Sequence, residues 1–296
     1  MRRILVIKLG ALGDFVLSFG PFAAIRAHHQ AAHIVLLTTA PFGPLAQASP
    51  WFDEVRIDSR PGWWDLPALV RLRRMLGGFD FVYDLQTSGR SSLYFRMAGR
   101  PGWSGIARGA SHPHANPGRN NLHTLDRQQD QLAMAGVSSA PSPDFSWLVA
   151  AGPVLSAPYA LLVPGAAPHR PAKRWPAARF GQLALHLAGQ GVRPVVVGAC
   201  SDGPLARTIQ AACPAALDLT GRTNLLDLAG VAARASVAVG NDTGPMHLAA
   251  ATGCRCVVLF SGDSDPALTA PRGQVAILRE TDLADLTVAR VAAALG

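Results

Sequence analysis

The chain reads as α/β, two doubly wound parallel-sheet domains in tandem, and three observations lead there. Apolar runs of about four to six residues alternate with helical patterns along most of the 296 residues. The plan restarts once. A strand at residues 4–9, a glycine-containing turn and a helix have a counterpart at 159–163, where a strand meets Pro164-Gly165-Ala166-Ala167 and then a helix from about Pro176. Between the halves, residues 138–158 carry Ser, Ala and four prolines (Pro141, Pro143, Pro153, Pro158), as a linker would. The expected division is 1–150 and 151–296, two domains facing each other across a central cleft.

Composition supports this and excludes other classes. With 49% hydrophobic and 16% charged residues the chain is globular rather than disordered. Lys and Arg outnumber Asp and Glu by 27 to 19, a net charge of +8 that suits an acidic partner. Nucleic acid is not the expected one, because no stacking platform or recognition-helix pattern is present. The basic start Arg2-Arg3 superficially resembles a signal peptide, but Lys8 and Asp14 interrupt the apolar run behind it. No run of about 18 apolar residues occurs. A cytoplasmic protein is expected, with peripheral contact at the inner membrane surface left open. The cysteines, Cys200, Cys213, Cys254 and Cys256, lack zinc-site spacing and read as buried, reduced thiols.

In the first half the strand at 4–9 meets Gly10-Ala11-Leu12-Gly13-Asp14, and a helix continues from Phe15 to about His29. Strands at 33–38, 55–58 and 79–84 and helices at 66–76 and 88–97 follow, then a helix at 122–135. In a doubly wound sheet ligands bind at the carboxyl ends of the strands, where Asp14 and the turn 84–88 lie. Asp14 reads equally as a helix cap or as a carboxylate open to ligand. The forty-one residues 85–125 contain no acid, but include Arg90, Arg96, Arg100, Arg108, Arg119, His112, His114 and His123. That stretch reads as a surface kept positive for an anion. Residues 109–121, rich in His, Pro, Asn and Gly, read as a mobile loop able to close on a ligand.

In the second half, strands at 193–198, 216–219, 235–239, 256–260 and 275–278 alternate with helices at 204–212, 225–234 and up to Leu295. The strand at 235–239 enters Gly240-Asn241-Asp242-Thr243-Gly244-Pro245-Met246-His247. Pro245 suits the start of a helix and Gly253 its end. A strand, a tight polar turn and a helix N-terminus together form an anion site. Lys173, before a second helix-starting proline at Pro176, would add a positive charge, and Asp202 a carboxylate for ribose hydroxyls.

Taken together these motifs resemble glycosyltransferase family 9, the ADP-heptose:lipopolysaccharide heptosyltransferases. The resemblance is carried by residues 4–26, Asp84-Leu85-Gln86, Arg90-Ser91, Pro164-Gly165-Ala166, Lys173-Arg174-Trp175-Pro176 and 241–250. Phe260, Asp265-Pro266-Ala267 and Pro271 continue it. It implies the GT-B fold, with acceptor on the first domain and nucleotide sugar on the second. The implied reaction is inverting and metal-independent and needs no cofactor. The implied donor is ADP-heptose, and the acceptor is a lipopolysaccharide core or related acidic glycolipid. Asp14 resembles the general base and Lys173 the diphosphate-binding lysine. Thr243 and Gly244 would cradle phosphate, with Asp242, His247 and Asp202 also in the donor pocket. Ala166 and Ala167 stand where family members often present a hydroxyl to phosphate. Gln86, Arg90, Arg119 and His123 are the acceptor-binding candidates. A nucleotide-sugar epimerase of the same fold and a non-catalytic nucleotide-sugar-binding protein remain the alternatives.

Overall fold

The computed structural model describes residues 1–138, 144–149 and 151–295. It divides into two units, Met1–Asp144 and Phe145–Gly296. The boundary expected at Ala150, and Pro141 and Pro143 of the expected linker, lie outside the described residues. The rest of that stretch is less of a linker than its composition suggests. Leu148 is fully buried, and Arg234 donates hydrogen bonds to the carbonyls of Val149, Ala151 and Pro153. Those bonds fasten the segment to the second unit.

The first unit contains β1 (Arg3–Ile7), α1 (Leu12–Val16), α2 (Phe19–His28), β2 (His33–Thr38), α3 (Gly43–Ala48), β3 (Glu54–Ile57) and α4 (Leu66–Leu76). It continues with β4 (Phe81–Asp84), α5 (Gly89–Met97), β5 (Gly102–Gly105), β6 (His112–Pro113) and α6 (Thr124–Met134). The second contains β7 (Tyr159–Val163), α7 (Ala177–Gly189), β8 (Arg193–Val196), α8 (Gly203–Ala212), β9 (Leu217–Asp218), α9 (Leu225–Ala233) and β10 (Val237–Asn241). After these come α10 (Gly244–Ala251), β11 (Cys256–Phe260), α11 (Pro266–Thr269), β12 (Val275–Arg279) and α12 (Val288–Ala293).

Each unit has a six-stranded parallel sheet. The orders are β3-β2-β1-β4-β5-β6 and β12-β11-β10-β7-β8-β9. Numbered within its own unit, the second sheet repeats the order of the first, which is the Rossmann order 3-2-1-4-5-6. Central strands covered on both faces read as unbroken apolar runs, and β7, β10 and β11 are buried along their whole length. The edge strand β12 alternates between partly buried and exposed. Leu5, Ile7, Val35, Leu37, Val82 and Trp103 centre the first core; Leu162, Trp175, Phe180, Val239 and Leu259 centre the second. Burying each such side chain contributes about 1.5–3 kcal/mol.

The order leaves one switch point per sheet, where neighbouring strands run on to opposite faces. In the first it lies between β1 and β4, in the second between β7 and β10. Every candidate site residue except His123, Arg119 and Asp202 sits on a segment leaving one of those four strands.

Three expectations need correction. Two further strands form, β5 at residues assigned no element and β6 within the segment read as a mobile loop. The segment read as a mobile loop is instead tied to α6: His114 Nε2 lies 2.8 Å from Asp130 Oδ2, Asn116 donates to the same oxygen at 2.7 Å, and the His114 N–H reaches Gly105 O. Finally, all four thiols are free, but Cys200 is exposed while the other three are buried.

Candidate active site

In the first unit the site begins where β1 ends. The N-cap of α1 is Ala11, with no side-chain cap, and Asp14 is the third residue of the helix. Asp14 is therefore not the cap. Its backbone carbonyl accepts from Ser18 Oγ at 2.7 Å, and its half-buried carboxylate makes no hydrogen bond among the described residues. A carboxylate so placed is available to a ligand.

Beneath it lies Lys8, 4% exposed, whose Nζ donates to Leu85 O at 3.2 Å. Burial brings its ammonium down to about 8; the negative charges of Asp14 and Asp84 oppose that fall, and Arg127 reinforces it. Asp84, at the end of β4, is fully buried and pushed up to about 6 by desolvation. Its Oδ1 accepts the N–H groups of Gln86 and Thr87, which fixes the turn into α5. Ser88 and Ser91 then close a reciprocal cap on that helix.

Gln86 joins the two strand ends: its Oε1 accepts the Leu9 N–H at 2.8 Å. The Leu9 carbonyl accepts from Arg60 Nη2 at 2.6 Å and from Thr39 Oγ1 at 3.2 Å. Arg60 thus borders the Gly10–Asp14 turn, a neighbour that residue spacing gives no sign of. The other acceptor candidates are dispersed. Arg90 reaches Tyr94 Oη and Pro61 O and stacks over Trp63 at 5.1 Å. Arg119 Nε contacts His114 Nδ1, and burial together with Arg127 lowers its pKa, Asp84 opposing. His123 caps α6 through the Leu125 N–H, which gives it a structural task.

In the second unit the candidates converge. Lys173 Nζ lies 2.5 Å from Asp242 Oδ2, with both side chains largely buried. Asn241, fully buried, clips three segments together: its Oδ1 accepts the Trp175 N–H at 2.9 Å, and its Nδ2 donates to Pro164 O at 2.8 Å. Arg174 Nη2 donates to Ala166 O, which holds the 164–167 turn against the lysine segment. Trp175, 1% exposed, anchors that segment by bonding Leu286 O and packing edge-on against Phe180.

The turn leads into α10, where Thr243 is the N-cap but supplies no capping side chain. Pro245 has no N–H and the Met246 N–H bonds Thr243 O, which leaves the Thr243 and Gly244 N–H groups at the helix start next to the Lys173–Asp242 pair, a combination suited to phosphate. His247 is buried in the same turn. Gly240 is required behind it, because a Cβ there would come within 2.6 Å of Val163 and 2.7 Å of Met246 Sδ. Asp202 stands at the end of β8; one oxygen accepts the Ala199 N–H, and the carboxylate lies against Gly165 and Gly198. That brings it to the 164–167 turn. Ala166 and Ala167 offer only backbone groups. Lys8, Arg60 and Asn241 are the site-region residues that sequence reasoning missed, although Asn241 stood inside the motif.

Among the described residues no helix is long and apolar enough to cross a membrane. The family model Glycosyltransferase family 9 (heptosyltransferase) matches residues 69–284. Lipopolysaccharide heptosyltransferase 2 of Escherichia coli K12 is 28% identical, over 91% of this chain and 85% of its own length. Among solved structures, E. coli ADP-heptose lps heptosyltransferase II superimposes with a TM-score of 0.79 at 24% identity, covering 100% of this chain and 98% of that one. E. coli heptosyltransferase WaaC with ADP gives 0.84 at 21% identity, covering 99% and 98%. Its pair of Rossmann-like domains is the GT-B fold. With a family match across most of its length, this chain belongs to glycosyltransferase family 9, the heptosyltransferase family, and is a glycosyltransferase.

Proposed function

We propose that the protein transfers a heptose from ADP-heptose to a lipopolysaccharide-core type acceptor, with inversion and without a metal, at the inner membrane surface. The observation that carries this reading is the Lys173–Asp242 pair beside the uncapped start of α10. An ammonium has three protons, so Lys173 can keep its bond to Asp242 and still donate to a diphosphate. Lys173 and the N–H groups of Thr243 and Gly244 at the helix start then stabilise the charge that develops on the leaving group. Asp202 takes ribose hydroxyls, His247 lines the same pocket, and Ala166 and Ala167 approach phosphate through their backbone.

Asp14 accepts the proton of the acceptor hydroxyl as its oxygen attacks the anomeric carbon. The bond from that carbon to the diphosphate oxygen breaks, and its electron pair leaves with ADP. Gln86 and Arg60, joined through Leu9, serve the acceptor, with Arg90 and Arg119 as outlying candidates, while His123 keeps its capping task on α6. Family membership, and the name of the E. coli relative, favour transfer over the epimerase and binding-protein alternatives.

The experiment is ADP release from ADP-heptose with and without heptose-lacking core lipopolysaccharide. Release that depends on the acceptor, with an inverted linkage in the product, supports the reading. Turnover without acceptor, or preference for another nucleotide sugar, contradicts it.

A further inference from the structure

Most exposed large apolar residues of this protein stand singly, but four stand together: Trp63, Trp64, Leu66 and Val70, exposed by 49%, 87%, 68% and 49%. Leu66 and Val70 are one helical turn apart and so share a face of α4, which Arg73 and Arg74 continue. Arg71 lies beside them. The other face of the helix, Ala68, Leu72 and Leu76, is buried in the core, so the exposed apolar residues are not core residues left over.

The charges are one-sided. Arg71, Arg73 and Arg74 make no ion pair among the described residues. The single acid between residues 59 and 79, Asp65, is occupied in capping α4 through the Ala68 N–H. A solvated helix face would mix signs and carry no tryptophan pair.

The platform is also held firm. Trp63 stacks under Arg90, whose Nη2 bonds Pro61 O, while Arg60 is fixed by Asp58 Oδ1 and by Leu9 O. Through Leu9 it adjoins the turn that carries Asp14.

We propose that Trp64, Leu66, Val70 and the arginines of α4 form a docking face for an anionic lipid bilayer. The indole and aliphatic groups enter the headgroup region, and Arg71, Arg73 and Arg74 pair with lipid phosphates. Docked in this way, the protein meets a membrane-embedded acceptor with the Asp14 edge of its first domain. The inference deepens the proposed function and rests on it only for the identity of that acceptor.

Vesicle flotation of the whole protein tests it. Wild type binds vesicles of phosphatidylglycerol and phosphatidylcholine, binds pure phosphatidylcholine at least about tenfold more weakly, and loses most binding in about 1 M salt. The double variants Trp64→Ala/Leu66→Ser and Arg73→Glu/Arg74→Glu each weaken binding to the anionic vesicles about tenfold or more. Leu185→Ser, on an exposed apolar residue of the second domain, changes nothing. Both double variants keep wild-type kcat/KM on a lipid-free core oligosaccharide and lose turnover on acceptor in vesicles.

Three results would overturn the proposal. Wild type could ignore anionic vesicles. The variants could bind as well as wild type, or raise KM for the lipid-free acceptor to the same extent, which makes the patch a sugar site. Sedimentation could show that they dissociate an oligomer, which makes it a contact between copies. Asp14→Ala separates the two readings, since it binds vesicles normally whatever it does to transfer.

Discussion

Lys173 Nζ and Asp242 Oδ2 meet at 2.5 Å although 69 residues separate them in sequence. The contact exists because β7 and β10 are neighbours in the sheet, so that segments leaving them share one edge. The pair places an ammonium at the start of α10.

Under the proposed function Lys173→Ala removes a charge-assisted bond to diphosphate, and Asp242→Asn removes the lysine's partner. Calorimetry should show ADP binding weakened about 10- to 100-fold in the lysine variant, the equivalent of about 1.5–3 kcal/mol, and by a smaller factor in the other. Unchanged affinity in Lys173→Ala would remove the lysine from the donor site.

Asn241 should matter for stability and binding together. Asn241→Leu strands the buried Trp175 N–H and the Pro164 carbonyl, each costing about 1–3 kcal/mol. Urea unfolding should show the loss, and ADP affinity should fall because the lysine segment is no longer clipped to β10. A variant of wild-type stability and affinity would contradict the clip.

Burial of Asp84 sets a pH dependence. Its folded-state pKa of about 6 lies above its value in the unfolded chain, so folding favours the neutral form. That contribution is complete below about pH 4 and is lost as pH rises through about 6, a change on the order of 3 kcal/mol. Asp84→Asn keeps an oxygen for the Gln86 and Thr87 N–H groups and does not titrate. Its stability relative to wild type should therefore rise between pH 4 and 7 in urea melts at each pH. A pH-independent difference would show that Asp84 is ionised throughout.

One thiol of four should react under native conditions. Cys200 is exposed, whereas Cys213, Cys254 and Cys256 are at most 4% exposed. Alkylation followed by intact-mass measurement should add one label to the folded protein and four to the unfolded one.

How much of this the sequence disclosed depends on the kind of pattern each feature leaves. Central strands such as β7 and β11 were legible because burial on both faces demands an unbroken apolar run. β5 and β6 left no such run: Gly-Trp-Ser-Gly and His-Pro are strands only because β4 pairs with β5 and β5 with β6. Asp14 could be placed at a strand end but not told from a cap, since that depends on where the helix begins. Lys173 and Asp242 each stood out by motif position, but their direct contact depends on strand order. Arg60 reaches Leu9 O across 51 residues, a relationship no local spacing encodes.

The central claim divides the chemistry between Asp14 as base and Lys173 with α10 as the diphosphate site. Its most direct test measures transfer and ADP binding together in Asp14→Ala. The account predicts turnover reduced about 10²- to 10⁴-fold with ADP affinity at the wild-type value. A variant that turns over at the wild-type rate, or that loses ADP binding along with transfer, would contradict it.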